Sequence, residues 1–365
     1  MAQSHHVSEF SGRQRDGAGR LVVTKHADVV AAATNPALFS NAVSRFRQIP
    51  NGLDGQEHAR YRELLDQFFS ADQIQALEPA LRELATRIIA EFPAGQFDAV
   101  ADLGIKFAIG GSVAWLGWPS DLEPELTAWV SDHREAIIAG DLAASALVAE
   151  RFDSMMAGLI RQRQGRPASD VTGELIGART GEVGPLTEAD VISVLRNWTG
   201  GDLSSVARCV GVVVAWLAEH SEHQRFLTRA TDAVLDAAID EILRLNDPFV
   251  SNRRTATADT QLAGCPINAG DQIVLSWREA NLDPAAFTDP NTFDPARNRD
   301  KNLVYGTGVH VCPGRGLATL QLRVIVQTLL TAGRVEFDTT KPIQAESEPF
   351  AGYWSVPVRL VKIPG

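Results

Sequence analysis

The stretch Tyr305-Gly306-Thr307-Gly308-Val309-His310-Val311-Cys312-Pro313-Gly314 gathers several residues capable of chemistry into a short space. Cys312 is one of three cysteines, and Cys209 and Cys265 lie far from it in sequence, so neither a disulfide framework nor a multi-cysteine metal site is spelled out. Gly306 and Gly308 permit positive φ and a close backbone approach, as a tight turn against a flat ligand requires. The cysteine sits a few residues before a helix, whose free N–H groups and macrodipole favour an anionic sulfur. With the small Gly314 beside it, such a thiolate can bind iron on one face of a planar macrocycle. From the cysteine alone, an inert buried thiol is the ordinary reading. Other pairs carry the same ambiguity: Glu241 and Arg244 share a helix face three residues apart, and His58 and Arg62 share one four apart.

The elements that must position these residues can be read from the pattern. The 365-residue chain has 45% hydrophobic and 22% charged residues, an ordinary globular balance. Its net charge of −11, from 34 Lys+Arg against 45 Asp+Glu, argues against general nucleic-acid binding and against an anionic membrane surface. The opening MAQSHHVSEF shows no secretory signal. The most apolar run, Cys209 to Ala218, is too short to span a bilayer, and the sparse cysteines suit the cytoplasm. Helical spacing predicts a strand at 21–24 leading into a helix at 27–33. It also predicts helices at 57–69, 76–91, 122–139, 143–163, 188–219, 230–245 and 317–330. The longest has Thr187 as its N-cap and an acid in its first turn, and spans about 45 Å. After Pro248 come short β-like runs broken by Gly, Pro and Asn. No repeat or composition break divides the chain, so residues 1–365 are read as one helix-rich α+β domain.

The cysteine stretch resembles the ligand loop of the cytochrome P-450 family, Phe-Gly-x-Gly-x-His-x-Cys-x-Gly, with Tyr305 in place of the phenylalanine. The resemblance runs from about Leu21 to the C-terminus and lacks the family's usual opening helix. It implies the family's mainly α fold with small β sheets, with haem b between the long central helix and the cysteine loop. Cys312 is then the iron ligand, and Tyr305, Gly306 and Gly314 shape its surroundings. Glu241 and Arg244 match the family's Glu-x-x-Arg helix, and Arg297 in FDPAR matches the residue that locks onto that pair. His58 and Arg62, Arg254 in NRRTATAD and His310 match the partners of the haem propionates. Two carboxylates at a cofactor edge need several donors, and three segments supply them.

The central helix departs from the family's acid–alcohol pattern. NWTGGDLSSVARCVG holds no register that keeps both groups. Alignment on Gly200-Gly201 makes Ser204 the alcohol, whereas alignment from Gly211 makes it Ser205. Asp202 remains a surrogate acid acting through water, or a residue that merely bonds the kinked backbone. Pocket residues carried over from the family are Phe249, Val250 and Asn252, with Trp198, Phe46, Ile49 and Trp354 as weaker candidates. The resemblance implies a monooxygenase inserting one atom of O2 into a small apolar organic substrate. Electrons would come from a separate ferredoxin and ferredoxin reductase, docking near Arg60, Arg299, Lys301 and Arg315, and the protein would be a cytoplasmic monomer. A peroxide-driven peroxygenase on the same scaffold and a haem-based sensor without turnover are the alternatives.

Overall fold

In the computed structural model the structure describes residues 14–44, 46–92, 95–180 and 184–362, without the side chains of Thr180, Gly201 and Asp202. Apolar residues at helical spacing fold as helices through most of the chain. In order these are α1 (His26–Ala33), α2 (Gly55–Asp66), α3 (Ala71–Ala76), α4 (Glu78–Ala90), α5 (Lys106–Leu116), α6 (Glu123–Ala139) and α7 (Leu142–Arg163). They continue as α8 (Val171–Gly177), α9 (Glu188–Glu219), α10 (Ser221–Leu227), α11 (Asp232–Leu245), α12 (Trp277–Ala280) and α13 (Arg315–Ala332).

The strands are short. The largest sheet joins β1 (Gln14–Arg15), β2 (Leu21–Val23), β3 (Phe39–Ser40), β7 (Ser251–Ala256) and β10 (Gln272–Ser276), in the order β1-β2-β10-β7-β3. β10 runs parallel to β2, pairing Val274 with Val22, and antiparallel to β7, pairing Ile273 with Arg254. A second sheet joins β4 (Gln96–Asp98), β11 (Arg334–Phe337) and β14 (Pro357–Val361). Two-stranded hairpins pair β5 (Arg179–Thr180) with β6 (Gly184–Pro185), β8 (Thr260–Leu262) with β9 (Cys265–Ile267), and β12 (Gln344–Ala345) with β13 (Tyr353–Ser355).

α9 is 32 residues long, about 48 Å, and begins with a complete capping box. Thr187 Oγ1 accepts from Asp190 N at 3.1 Å, while Asp190 Oδ2 accepts from Thr187 N at 3.1 Å. α9, α13 and α5 share the larger apolar core, and the β1–β3 region packs α1 over a smaller cluster around Val29, Leu275 and Trp277. Residues Ala99–Leu116 and α9 are each long and apolar enough to cross a membrane, although the run Cys209–Ala218 is not. Their most apolar windows are 72% and 75% buried inside the protein, so that apolarity serves the core.

Departures from the sequence reading have local causes. The helix expected over 57–69 ends at Asp66 and tightens into a 3-10 turn, Gln67–Phe69. The one expected from 76 begins at Glu78, since Pro79 suits only a first turn. α5 was not anticipated, because nearly all of its residues are buried and no polar face marks a period. A π-helical turn, Ala99–Ile105, leads into it and lies directly on α9. A Cβ on Gly104 would stand 2.8 Å from Ala207 O of α9, closer than real contacts allow. Gly104→Ala is therefore expected to lose about 1–3 kcal/mol by overpacking. Chemical denaturation checks this, and a variant as stable as the parent would count against so close a contact.

Candidate functional site

The cysteine loop is built from backbone bonds. Cys312 N donates to Tyr305 O at 3.0 Å, Gly306 N to Leu303 O at 2.8 Å and Val311 N to Gly308 O at 3.1 Å. Gly306 and Gly308 both adopt positive φ, at 71° and 77°. At Gly308 a Cβ would also lie 2.9 Å from Ala33 O, so the turn is pressed onto α1. α13 begins at Arg315, three residues after Cys312. The thiol of Cys312 is exposed, although Leu303, Val304 and Leu317 around it are buried. A Cβ at Gly314 would sit 3.9 Å from Cys312 Sγ and 3.6 Å from the Phe69 ring. Phe69 in turn packs on Trp198 of α9 and on Trp115, with ring centroids 5.4 and 5.0 Å apart. Tyr305 lies under the Arg315 guanidinium, 5.1 Å from it, and burial pushes its phenol well above the usual range. It stays protonated at neutral pH.

Four side chains from three segments meet beside this loop. The rings of His58 and His310 pack at a 47° tilt with centroids 4.1 Å apart, and His310 Nε2 lies 3.0 Å from Asp54 Oδ1. Arg62 donates to Val309 O and Val311 O at 3.1 and 3.0 Å, gripping the loop itself. Arg254 is only 6% exposed, yet its sole bond among the described residues is to the carbonyl of Arg253, at 2.8 Å. Burial lowers the Arg254 pKa to about 10, against the pull of Asp54. Burial first, and then His310 and Arg62, lower His58 to about 4, so its ring is neutral. A buried guanidinium with idle N–H groups, backed by two imidazoles and a second arginine, is a site short of anionic acceptors. A macrocycle with two carboxylates, whose metal meets the exposed thiol, fits that deficit.

Behind the loop, Glu241 and Arg244 are almost wholly buried. Arg244 Nε and Nη2 donate to the two Glu241 oxygens at 2.7 and 2.8 Å, and Nη1 donates to Asn281 O at 2.6 Å. The expected third partner, Arg297, does not reach them. It is 39% exposed and pairs with Asp294 at 3.1 Å. Asn298 replaces it, donating through Nδ2 to Glu241 Oε1 at 2.7 Å, and Asp294 N donates to the same oxygen at 3.0 Å. One guanidinium already neutralises the carboxylate, so a neutral amide completes the shell without a second buried charge. Asn281, which sequence reasoning missed, accepts from Leu303 N at 2.8 Å and donates to the buried Asp247 at 3.0 Å. Asp54, also missed, collects Ser40, Asn41 and His310. Neither position stands out in sequence, since a short polar residue in a loop signals only a turn.

On α9 the half-buried positions Asn197, Gly200, Ser204 and Arg208 fall three or four apart and so define one open face, with Ser205 beside it. Most residues from Leu203 to Leu217 off this face are buried. Cys209, one turn after Ser205, is buried, and burial raises its pKa. The expected surrogate acid, the Asp202 side chain, lies outside the described residues. Trp198 is 6% exposed within the cluster of Phe68, Phe69 and Trp115. Phe249 and Val250 are half-buried, whereas Asn252 is exposed and its carbonyl accepts from Trp277 Nε1 at 2.6 Å. Ile49 is buried and tied to α9 through Ser193 and Asn197, and Phe46 is 64% exposed.

Two measurements probe this geometry. Asn298→Ala, which leaves a buried carboxylate short of a donor, is expected to cost about 1–3 kcal/mol. Arg297→Ala should change stability by no more than about 0.5 kcal/mol. Denaturant titrations giving the reverse order would restore Arg297 to the network. Burial raises Asp247 to about 7, against an unfolded value near 4. The folded state holds this proton more tightly, so its contribution is complete below about pH 4 and lost as pH rises through about 7. Asp247→Asn should flatten the stability profile across that window, and an unchanged slope would refute the assignment.

The comparisons with known proteins agree with this geometry. Residues 221–358 match the family model described as cytochrome P450. A protein of Sinorhizobium fredii named probable cytochrome P450 127A1 is 31% identical, covering 84% of this chain and 75% of its own. Linalool 8-monooxygenase of Pseudomonas putida is 26% identical over 87% of this chain and 84% of its own. A solved structure of a mutant of P450 EryK in complex with erythromycin B superposes with a TM-score of 0.88 at 24% identity. It covers 97% of this chain and 94% of its own, and at that identity it speaks for the fold. The chain belongs to the cytochrome P450 family, oxidoreductases that carry haem b and put an oxygen atom from O2 into their substrates.

Proposed function

We propose that the protein hydroxylates, or oxidatively dealkylates, a small organic molecule that is largely apolar, with Cys312 as the iron ligand and electrons from a separate ferredoxin and its reductase. The observation that carries this reading is the exposed Cys312 thiol, held just ahead of α13 in a glycine-framed loop beside the buried Arg254, whose one bond among the described residues is to the carbonyl of Arg253. Bound there, the haem supplies activation of dioxygen, favoured by electron density from a thiolate ligand.

The chain's own residues hold and steer. Arg254 and Arg62 neutralise the propionate edge, while neutral His58 and His310 add hydrogen bonds there. The start of α13 favours the deprotonated sulfur. On α9 we assign Ser205 as the alcohol that passes a proton from water toward the distal face, supported by its half-buried place beside the open face of the helix. Ser204 points along the line of Arg208. Phe249 and Val250, half-buried where α11 meets β7, line the apolar side of the pocket. The relative named for linalool supports a hydrocarbon-rich substrate. Arg60, Arg299, Lys301 and Arg315 make up the docking side for the electron donor, and one of them, Arg315, is already paired with Asp240 at 3.1 Å. We read the chain as one domain, a cytoplasmic monomer.

With haem incorporated, Cys312→Ala should lose the ferrous–CO absorption characteristic of thiolate ligation. Ser205→Ala should keep that absorption but divert about tenfold more NAD(P)H consumption into peroxide in the reconstituted ferredoxin system. Ser204→Ala should remain coupled. A thiolate-type band that survives in Cys312→Ala would end the reading. Turnover on added hydrogen peroxide but not with the ferredoxin system would move the protein to the peroxygenases.

A further inference from the structure

Three arginines set into the fold stand out among the described residues: Arg244 is buried against Glu241, and Arg254 is buried beside the cysteine loop. The third is Arg208, on the open face of α9, four residues after Ser204 and three after Ser205. Its guanidinium lies 4.1 Å from the centre of the Phe350 ring. Among the described residues it makes no hydrogen bond and no ion pair. The nearby carboxylate is Glu346, and its bonds among the described residues go to Arg134 and Ser347, not to Arg208. Arg134 of α6 donates to both of its oxygens, at 3.0 and 3.0 Å through Nε and at 2.5 Å through Nη2, and Ser347 N adds a bond at 2.9 Å. Arg134 is itself stacked on Trp354, 3.6 Å from the ring centre. His133, stacked on Trp129, offers no negative charge either, since burial and Arg208 both lower its pKa. The cluster therefore holds two guanidiniums against one carboxylate, and the surplus belongs to Arg208. Arg208 is half-buried, and that burial lowers its pKa.

The surroundings say what could fill that deficit. Phe350 stands on the segment joining β12 to β13 and Trp354 within β13, and Gly352 between them packs on Val212 of α9 and on Pro248, beside Phe249. Apolar, half-buried side chains from three elements thus face the same end of α9 as the idle guanidinium. About 4.5 Å of helix axis separates Arg208 from Ser205. We propose that Arg208 recognises substrate: its guanidinium takes the carboxylate of an amphipathic organic acid, whose apolar body runs along the open face of α9 toward Ser205. Planar bidentate pairing makes an arginine selective for a carboxylate over a neutral polar group. The inference rests on the monooxygenase reading and names its substrate class.

The test uses the haem-loaded protein. Alkanoates from hexanoate to hexadecanoate, and phenylalkanoates from phenylacetate to phenylbutanoate, are titrated by calorimetry, each beside its own amide. The tightest acid should bind the parent at least about tenfold better than its amide, a difference of about 1.4 kcal/mol. That preference should vanish in Arg208→Gln and survive in part in Arg208→Lys, with both variants retaining the parent's Soret spectrum and melting temperature. No preference for acids in the parent, no binding of any acid, or a preference that persists in Arg208→Gln would overturn the proposal. The ferrous–CO spectrum of the same preparation separates the two readings. A thiolate-type band with no acid preference leaves the monooxygenase standing and removes only the carboxylate substrate.

Discussion

Glu241 and Arg244, shut away from water on α11, decide where the cysteine loop begins. A buried ion pair adds little net stability by itself, because desolvating two charges offsets most of their attraction. What it adds here is position. The pair is satisfied only when Asn298, Asp294 N and Asn281 O occupy their places around it. Asn281 then holds Leu303 N, and Leu303 O receives Gly306 N, the first turn of the loop that carries Cys312. The chain of bonds from α11 to the sulfur is continuous, and each link is closed by geometry rather than by charge.

The three arginines set into the fold show how burial and satisfaction divide labour. Arg244 spends three of its nitrogens on protein acceptors and serves the scaffold. Arg254 uses one, on its neighbour's carbonyl, and we propose it for an anionic cofactor edge. Arg208 uses none among the described residues and rests on an aromatic face. Desolvation costs all three, but only the first recovers that cost within the fold. Donors left without protein acceptors are open to water or to a ligand.

α9 serves as both core and wall. Its buried residues join α5 and α13 in the main core, and its open face from Asn197 to Arg208 stays clear of it. Gly200 and the serines at 204 and 205 keep that face thin, where bulky side chains would fill the space. The π-helical turn at Ala99–Ile105 presses on the other side at Ala207 and holds the wall in place.

The sequence by itself determined the long helices, the glycine-framed cysteine loop and the shared helix face of His58 and Arg62, because each is written in local spacing. Helical period, positive-φ glycines and i, i+4 pairs need no knowledge of distant residues. It could not show α5, whose uniform burial erases the period, nor the choice of Asn298 over Arg297, which depends on how the loop at 294–298 folds against Glu241. Nor could it show the Arg134–Glu346–Arg208 cluster. That imbalance of charge exists only after α6, α9 and the segment 346–354 are brought together from stretches as much as 212 residues apart. Spacing along the chain encodes what one element does with its neighbours in sequence. Which charges are left without partners is decided by tertiary contact, since a guanidinium's acceptors can be counted only in the folded protein.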